Sequence, residues 1–171
     1  YFYSQALAQT FTASQGYNLT QLTFWGSSEN FVQPGLANFA GFQAVIYSAD
    51  FSTVIATKTW TLAQLQVTAT GALNPQGGIE YQFAGNLTGG LAAGTYRLSV
   101  GAILVNGQDD AFIWSNGEAN SGLYYSIGAN FGTNWSANDT GSGSFLLFGN
   151  VPSPGALALL GLAGLTGRRR R

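Results

Sequence analysis

The chain has 171 residues, 46% of them hydrophobic, 14% aromatic and only 8% charged. That is enough chain for one domain with a full core, and so apolar and aromatic a composition excludes a disordered polymer. The absence of Cys and His excludes disulfides, thiolate sites and the commonest general base and metal ligand. Up to Asn150 only two basic residues, Lys58 and Arg97, stand against seven acidic ones. A body of net charge −5 lacks the phosphate-neutralising patch of a nucleic-acid binder, so nucleic acid is excluded as a partner.

At the start, Tyr1 to Gln9 has neither the positive first residues nor the apolar run of a signal peptide. The chain is therefore expected to begin after a leader or to be a fragment. From there to Asn150, short apolar runs alternate with Gly and Asn turns, and no helical apolar stripe extends over ten residues. Strands are expected at Ser4–Thr12, Asn18–Gly26, Phe42–Ser48, Val54–Trp60 and Leu65–Thr70, with Leu62–Gln66 open to a helical turn instead. Ser27–Ala40 reads as a loop. Ile79–Phe83 and Thr95–Val100 alternate most clearly, with Tyr96, Leu98 and Val100 inward and Thr95, Arg97 and Ser99 outward. The glycine-rich Leu87–Gly94 between them reads as a loop too short for a crossover helix, which predicts that the two strands are antiparallel neighbours. Ala111–Trp114, Leu123–Ile127 and Ser144–Phe148 complete about nine strands. The expected class is all-β, an antiparallel β-sandwich or jelly-roll-like domain over residues 1–150.

The last twenty-one residues, VPSPGALALLGLAGLTGRRRR, form a second unit, 151–171. Val151 and Ser153 precede prolines, so Val151-Pro152-Ser153-Pro154 is expected to be extended and exposed, the form a protease cleft accepts. Gly155 to Gly167 is uncharged. As a short hydrophobic helix it spans about 20 Å at 1.5 Å per residue, less than the ~30 Å hydrocarbon core. Arg168, Arg169, Arg170 and Arg171 form a basic stop held on the cytoplasmic side. The order reads as a transient membrane stop that presents the Pro-rich motif outside. The bland alternative is a buried C-terminal helix with a basic cap, but Gly155, Gly161, Gly164 and Gly167 make it a poor helix without a polar face.

This tail resembles the PEP-CTERM sorting signal: a Val-Pro-Glu-Pro-like motif, a short Ala/Leu/Gly span and a terminal arginine cluster. Ser153 stands where that family most often has Glu, and a small residue there is similar to a branch of the family. The resemblance implies an exosortase as processing partner, in bacteria that make extracellular polysaccharide. QTFTASQGYNLTQLTFWG, FQAVIYSADFSTVIA and LAAGTYRLSVGA are similar, more faintly, to β-sandwich domains that precede such signals. Those domains have no common activity, so this likeness implies a fold.

Within the body, Trp25 and Trp135 adjoin expected loops and are candidates for stacking on sugar rings, with Trp60 and Trp114 behind them. Core or rim packing is the competing reading for all four. Asp109, Asp110 and Asp139, near Glu118, Asn106, Asn116 and Asn138, are candidate calcium ligands, and otherwise solvated loop acids. The same carboxylates are weighed as a glycosidase pair, but nothing in the spacing puts two on adjacent buried strands. Asn18, Asn86, Asn134 and Asn138 each begin an Asn-x-Ser/Thr sequon, open to glycosylation or to chance in so Asn- and Thr-rich a chain. No nucleotide-binding glycine motif occurs, and no cofactor is expected. The sequence thus points to a non-enzymatic, exported surface or matrix protein that assembles or adheres. A carbohydrate-binding module for extracellular polysaccharide is the alternative.

Overall fold

A computed structural model describes residues 5–28, 35–74, 77–105, 112–115, 123–127, 135–138 and 143–152. The strands in chain order are β1 (Gln5–Ala13), β2 (Tyr17–Ser28), β3 (Phe39–Ser48), β4 (Val54–Thr61), β5 (Gln66–Leu73) and β6 (Ile79–Leu91). They are followed by β7 (Gly94–Leu104), β8 (Phe112–Trp114), β9 (Leu123–Ile127), β10 (Trp135–Asn138) and β11 (Phe145–Asn150). A single 3₁₀ turn, Leu62–Gln64, separates β4 from β5, where the sequence left a helical turn open. The protein is all-β.

The strands form two antiparallel sheets, consistent with a β-sandwich. One has six strands in the order β10-β9-β1-β7-β3-β4, the other five elements, β11-β2-β6-β5 with β8 also paired to β2. Between them lies one core. Leu22, Phe24, Phe83 and Leu87 come from the five-stranded sheet, and Phe42, Ala44, Ile46, Leu98 and Val100 from the six-stranded one. Phe24 and Phe83 are register partners whose rings stack at 5.0 Å, and Phe42 reaches both from the opposite sheet at 5.2 and 4.6 Å. Each such pair adds about 0.5–1.5 kcal/mol beyond the burial of its apolar area.

Three expectations are corrected. The segment expected as a loop at Leu87–Gly94 belongs largely to β6, which runs to Leu91 and pairs with β2 down to Tyr17. Its inward positions are Phe83, Gly85, Leu87, Gly89 and Leu91, so the two-residue period continues through glycine. Gly85 occupies one of these positions because a Cβ there would lie 2.6 Å from Leu65 and 2.8 Å from the Trp60 indole nitrogen. Second, β6 and β7 are not neighbours. Each is a central strand of a different sheet, β6 between β2 and β5 and β7 between β1 and β3. Ala92 and Ala93 carry the chain across the sandwich, a step of about 10 Å that two extended residues can span. Third, eleven strands are described rather than about nine. The strand with no counterpart among the expected segments is Trp135–Asn138, too short and polar to stand out in the sequence. The expected loop at Ser27–Ala40 is also narrower, since Ser27, Ser28, Phe39 and Ala40 are in strands. The expected C-terminal helix lies outside the described residues.

The sheets are tied by polar contacts as well. The Trp60 indole on β4 donates to the Asn86 carbonyl of β6 at 3.1 Å, and Gln9 Oε1 on β1 accepts from the Gly143 amide at 3.1 Å. Gly41 on β3 packs so closely on β4 that a Cβ would meet the Trp60 carbonyl oxygen at 1.9 Å.

Two substitutions test this core. Phe42→Ala removes the ring that joins the sheets and is expected to cost about 3–5 kcal/mol in urea unfolding. Gly41→Ala, which needs a backbone shift, is expected to cost about 1–3 kcal/mol. Losses below half a kilocalorie for both would contradict this packing.

Candidate functional site

The sequence candidates fall in three places. Trp60 and Trp114 are buried in the core, with both indole nitrogens donating to backbone carbonyls, Trp114 to Ser144 at 2.9 Å. Trp25 is half-buried within β2, on the outer face of the five-stranded sheet opposite Gln82. Trp135 is half-buried on β10, at the edge of the six-stranded sheet. The two are not brought together. Asn18 and Asn86 lie in strands with exposed side chains, and Asn138 ends β10. Asp109, Asp110, Asp139, Asn134, Ser153, Pro154 and Arg168 to Arg171 lie outside the described residues. Among the described residues, no three acidic side chains gather as a metal site would require.

Around Trp135 the fold builds a cluster that the sequence did not announce. Its indole stacks on Phe51 at 4.5 Å with planes 6° apart and meets the Tyr47 ring edge-on at 5.8 Å. Arg97 places its guanidinium 4.2 Å from the Phe51 ring centre, a cation–π contact. Tyr47 is on β3, and β7, β1 and β9 separate it from β10. Four steps of about 4.8 Å would put these strands ~19 Å apart in a flat sheet. Contact between their rings therefore requires the sheet to curl, concave on its outer face. Ala8, Ser99 and Val45, register neighbours on that face, are accordingly buried although they point away from the core. Burial likewise raises the pKa of the Tyr47 phenol.

The β3–β4 turn holds Phe51 in place. Asp50 Oδ1 accepts from the Ser48 hydroxyl at 2.6 Å, the Ser52 hydroxyl at 2.8 Å and the Ser52 amide at 3.1 Å. Phe51 adopts φ 62°, rare for a side chain of this size, and its amide donates to the Ser48 carbonyl at 2.9 Å. The three donors stabilise the carboxylate and lower the Asp50 pKa to about 2, the Ser48 hydroxyl most of all. In the sequence the turn is marked by Ala49-Asp50 directly after the apolar run Phe42–Ser48. Among the described residues the cluster offers one exposed acid, Asp50, one cation, Arg97, and an indole with one face stacked on Phe51.

The other surface of interest is the end of β11. Asn150 pairs with Asn18, and the chain leaves the sheet there. Val151, 49% exposed, and Pro152, also exposed, follow at once. Leu146 and Phe148 are exposed on β11 itself. No protein-family model matches the chain, and no curated protein sequence matches it.

The Asp50 turn can be tested by pH. A carboxyl with a lowered folded pKa stabilises the fold above the ordinary carboxylate range and ceases to do so as pH falls towards 2. Carboxyl NMR is expected to show Asp50 titrating near 2, and Ser48→Ala is expected to shift it upward. An ordinary Asp50 titration near 4 in the unaltered protein would refute the triply bonded turn.

Proposed function

We propose that this is a non-enzymatic exported protein of the bacterial cell surface or extracellular matrix. Its C-terminal tail sorts it and is processed by an exosortase-type enzyme after a transient stop in the membrane. The observation that carries this reading is the position of the motif. Val151 and Pro152 stand exposed directly beyond the last strand, so cleavage there leaves the sandwich complete. Among the described residues no helix is long and apolar enough to cross a membrane. Three short crossings between sheets (β1 to β2, β4 to β5 and β6 to β7) support a jelly-roll-like body.

For the mature body the role is structural or adhesive. β5 is exposed along its whole length, carries no charge and forms the edge of the five-stranded sheet. Natural edges are usually blunted by a charge or a proline, and an uncharged one favours strand-to-strand association. A second reading, binding of extracellular polysaccharide, is favoured by one observation. The half-exposed Trp25 sits in an uncharged row with Gln82 and Thr68, an aromatic face beside amide and hydroxyl groups.

Intact mass of the native protein is expected to show loss of Arg168 to Arg171, and a mature form that retains them would overturn the processing. Sedimentation is expected to show self-association that Thr68→Lys weakens, whereas a strict monomer at high concentration would refute the assembly role. Polysaccharide pull-down with Trp25→Ala and Trp135→Ala controls decides the second reading, which no binding to any polysaccharide would remove.

A further inference from the structure

The two sheets part at one end of the molecule. Between the ends of β1, β2, β6 and β11 lies a cavity of about 370 Å³, lined by Phe11, Leu19, Leu91, Phe145 and Leu147 among others, none of them charged. That is the size of a ligand pocket, far above the voids of a packed core. Two strands that border it have open edges among the described residues. β9 covers β1 only from Gln5 to Gln9, and Phe11–Ala13 beyond it have β7 as their one described strand partner. β11 pairs with β2 on one side and with no described strand on the other. An apolar cavity beside unpaired backbone suits an extended apolar segment added as a strand.

The chain itself supplies one. Phe148 and Gly149 are part of the cavity lining, and the described residues end at Pro152, three residues further along the chain. Ser153, Pro154 and Gly155 follow, residues suited to a turn. Next comes ALALLGL, Ala156 to Leu162, without a charge. As a strand these seven residues span about 23 Å, enough to run back along all six residues of β11. In that form Leu157, Leu159 and Gly161 share one face and Ala156, Ala158, Leu160 and Leu162 the other.

We propose that, away from a membrane, Ala156–Leu162 folds back along β11 and seats Leu157 and Leu159 in this cavity. The contact shields the apolar run from water until a bilayer competes for it. It depends on the tail being apolar and close to the cavity, not on any cleavage.

The chain has no cysteine, so introduced pairs report proximity without background. Full-length protein carrying Thr12→Cys and Ala158→Cys, dilute and without detergent, is treated with a short bis-maleimide. Intramolecular crosslinking is expected to exceed that of a Lys58→Cys, Ala158→Cys pair by about tenfold or more, as a held segment has a high effective concentration. Leu157→Ser with Leu159→Ser, which alters no residue of the body, is expected to abolish the difference, as are phosphatidylglycerol vesicles. Equal yields from the two pairs, products only between molecules, or no effect of the serine variant would each overturn the proposal. Crosslinking with a tail that is never cleaved in cells refutes the processing alone, and cleavage without crosslinking refutes this inference alone.

Discussion

Everything in this molecule depends on the contact of three phenylalanines, Phe24 and Phe83 from one sheet and Phe42 from the other. Their rings lie 4.6 to 5.2 Å apart, and Phe112 closes the group at 4.9 Å from Phe42. With no disulfide and few ion pairs possible, apolar contact between the two inner faces is the main term opposing chain entropy. So close an approach also explains the glycines at Gly41 and Gly85, where any side chain would strike Trp60 or its neighbours.

The same economy of charge shapes the outside. The described surface relies on amides, hydroxyls and aromatic rings, and its clearest polar device is a local one, the Asp50 turn that fixes Phe51 under Trp135. That arrangement costs backbone strain at Phe51, which ring stacking and the Arg97 contact offset. A strongly apolar, weakly charged protein needs a managed route through water. The apolar cavity beside the exit of β11 and the apolar tail that follows it are two sides of that one problem.

Most strands were legible in the sequence because one buried face imposes a period of two. Asn18–Gly26, Phe42–Ser48, Val54–Trp60 and Thr95–Val100 all lie within observed strands. The failures share a cause. Leu87–Leu91 was hidden because glycine at Gly85 and Gly89 looks like turn punctuation when it is a core position cleared for Trp60 and Ala56. Pairing of β6 with β7 was misjudged because a two-residue link is equally able to make a hairpin or cross a sandwich. Neither the Trp135 stack nor the cavity had a local signal, since each joins residues from strands distant in sequence.

By itself the sequence determined the class of the fold, the acidic net charge of the body, and the order of motif, apolar run and arginines in the tail. These are properties of composition and short-range pattern, which no packing can alter. Only the tertiary structure decided which strands share a sheet, that Trp60 and Trp114 belong to the core, and that Trp135 has one face covered. It also decided that the chain leaves the sandwich exposed at Val151, beside an open apolar cavity. Those facts depend on which inner faces meet and how far the sheets curl, and only long-range contact settles that.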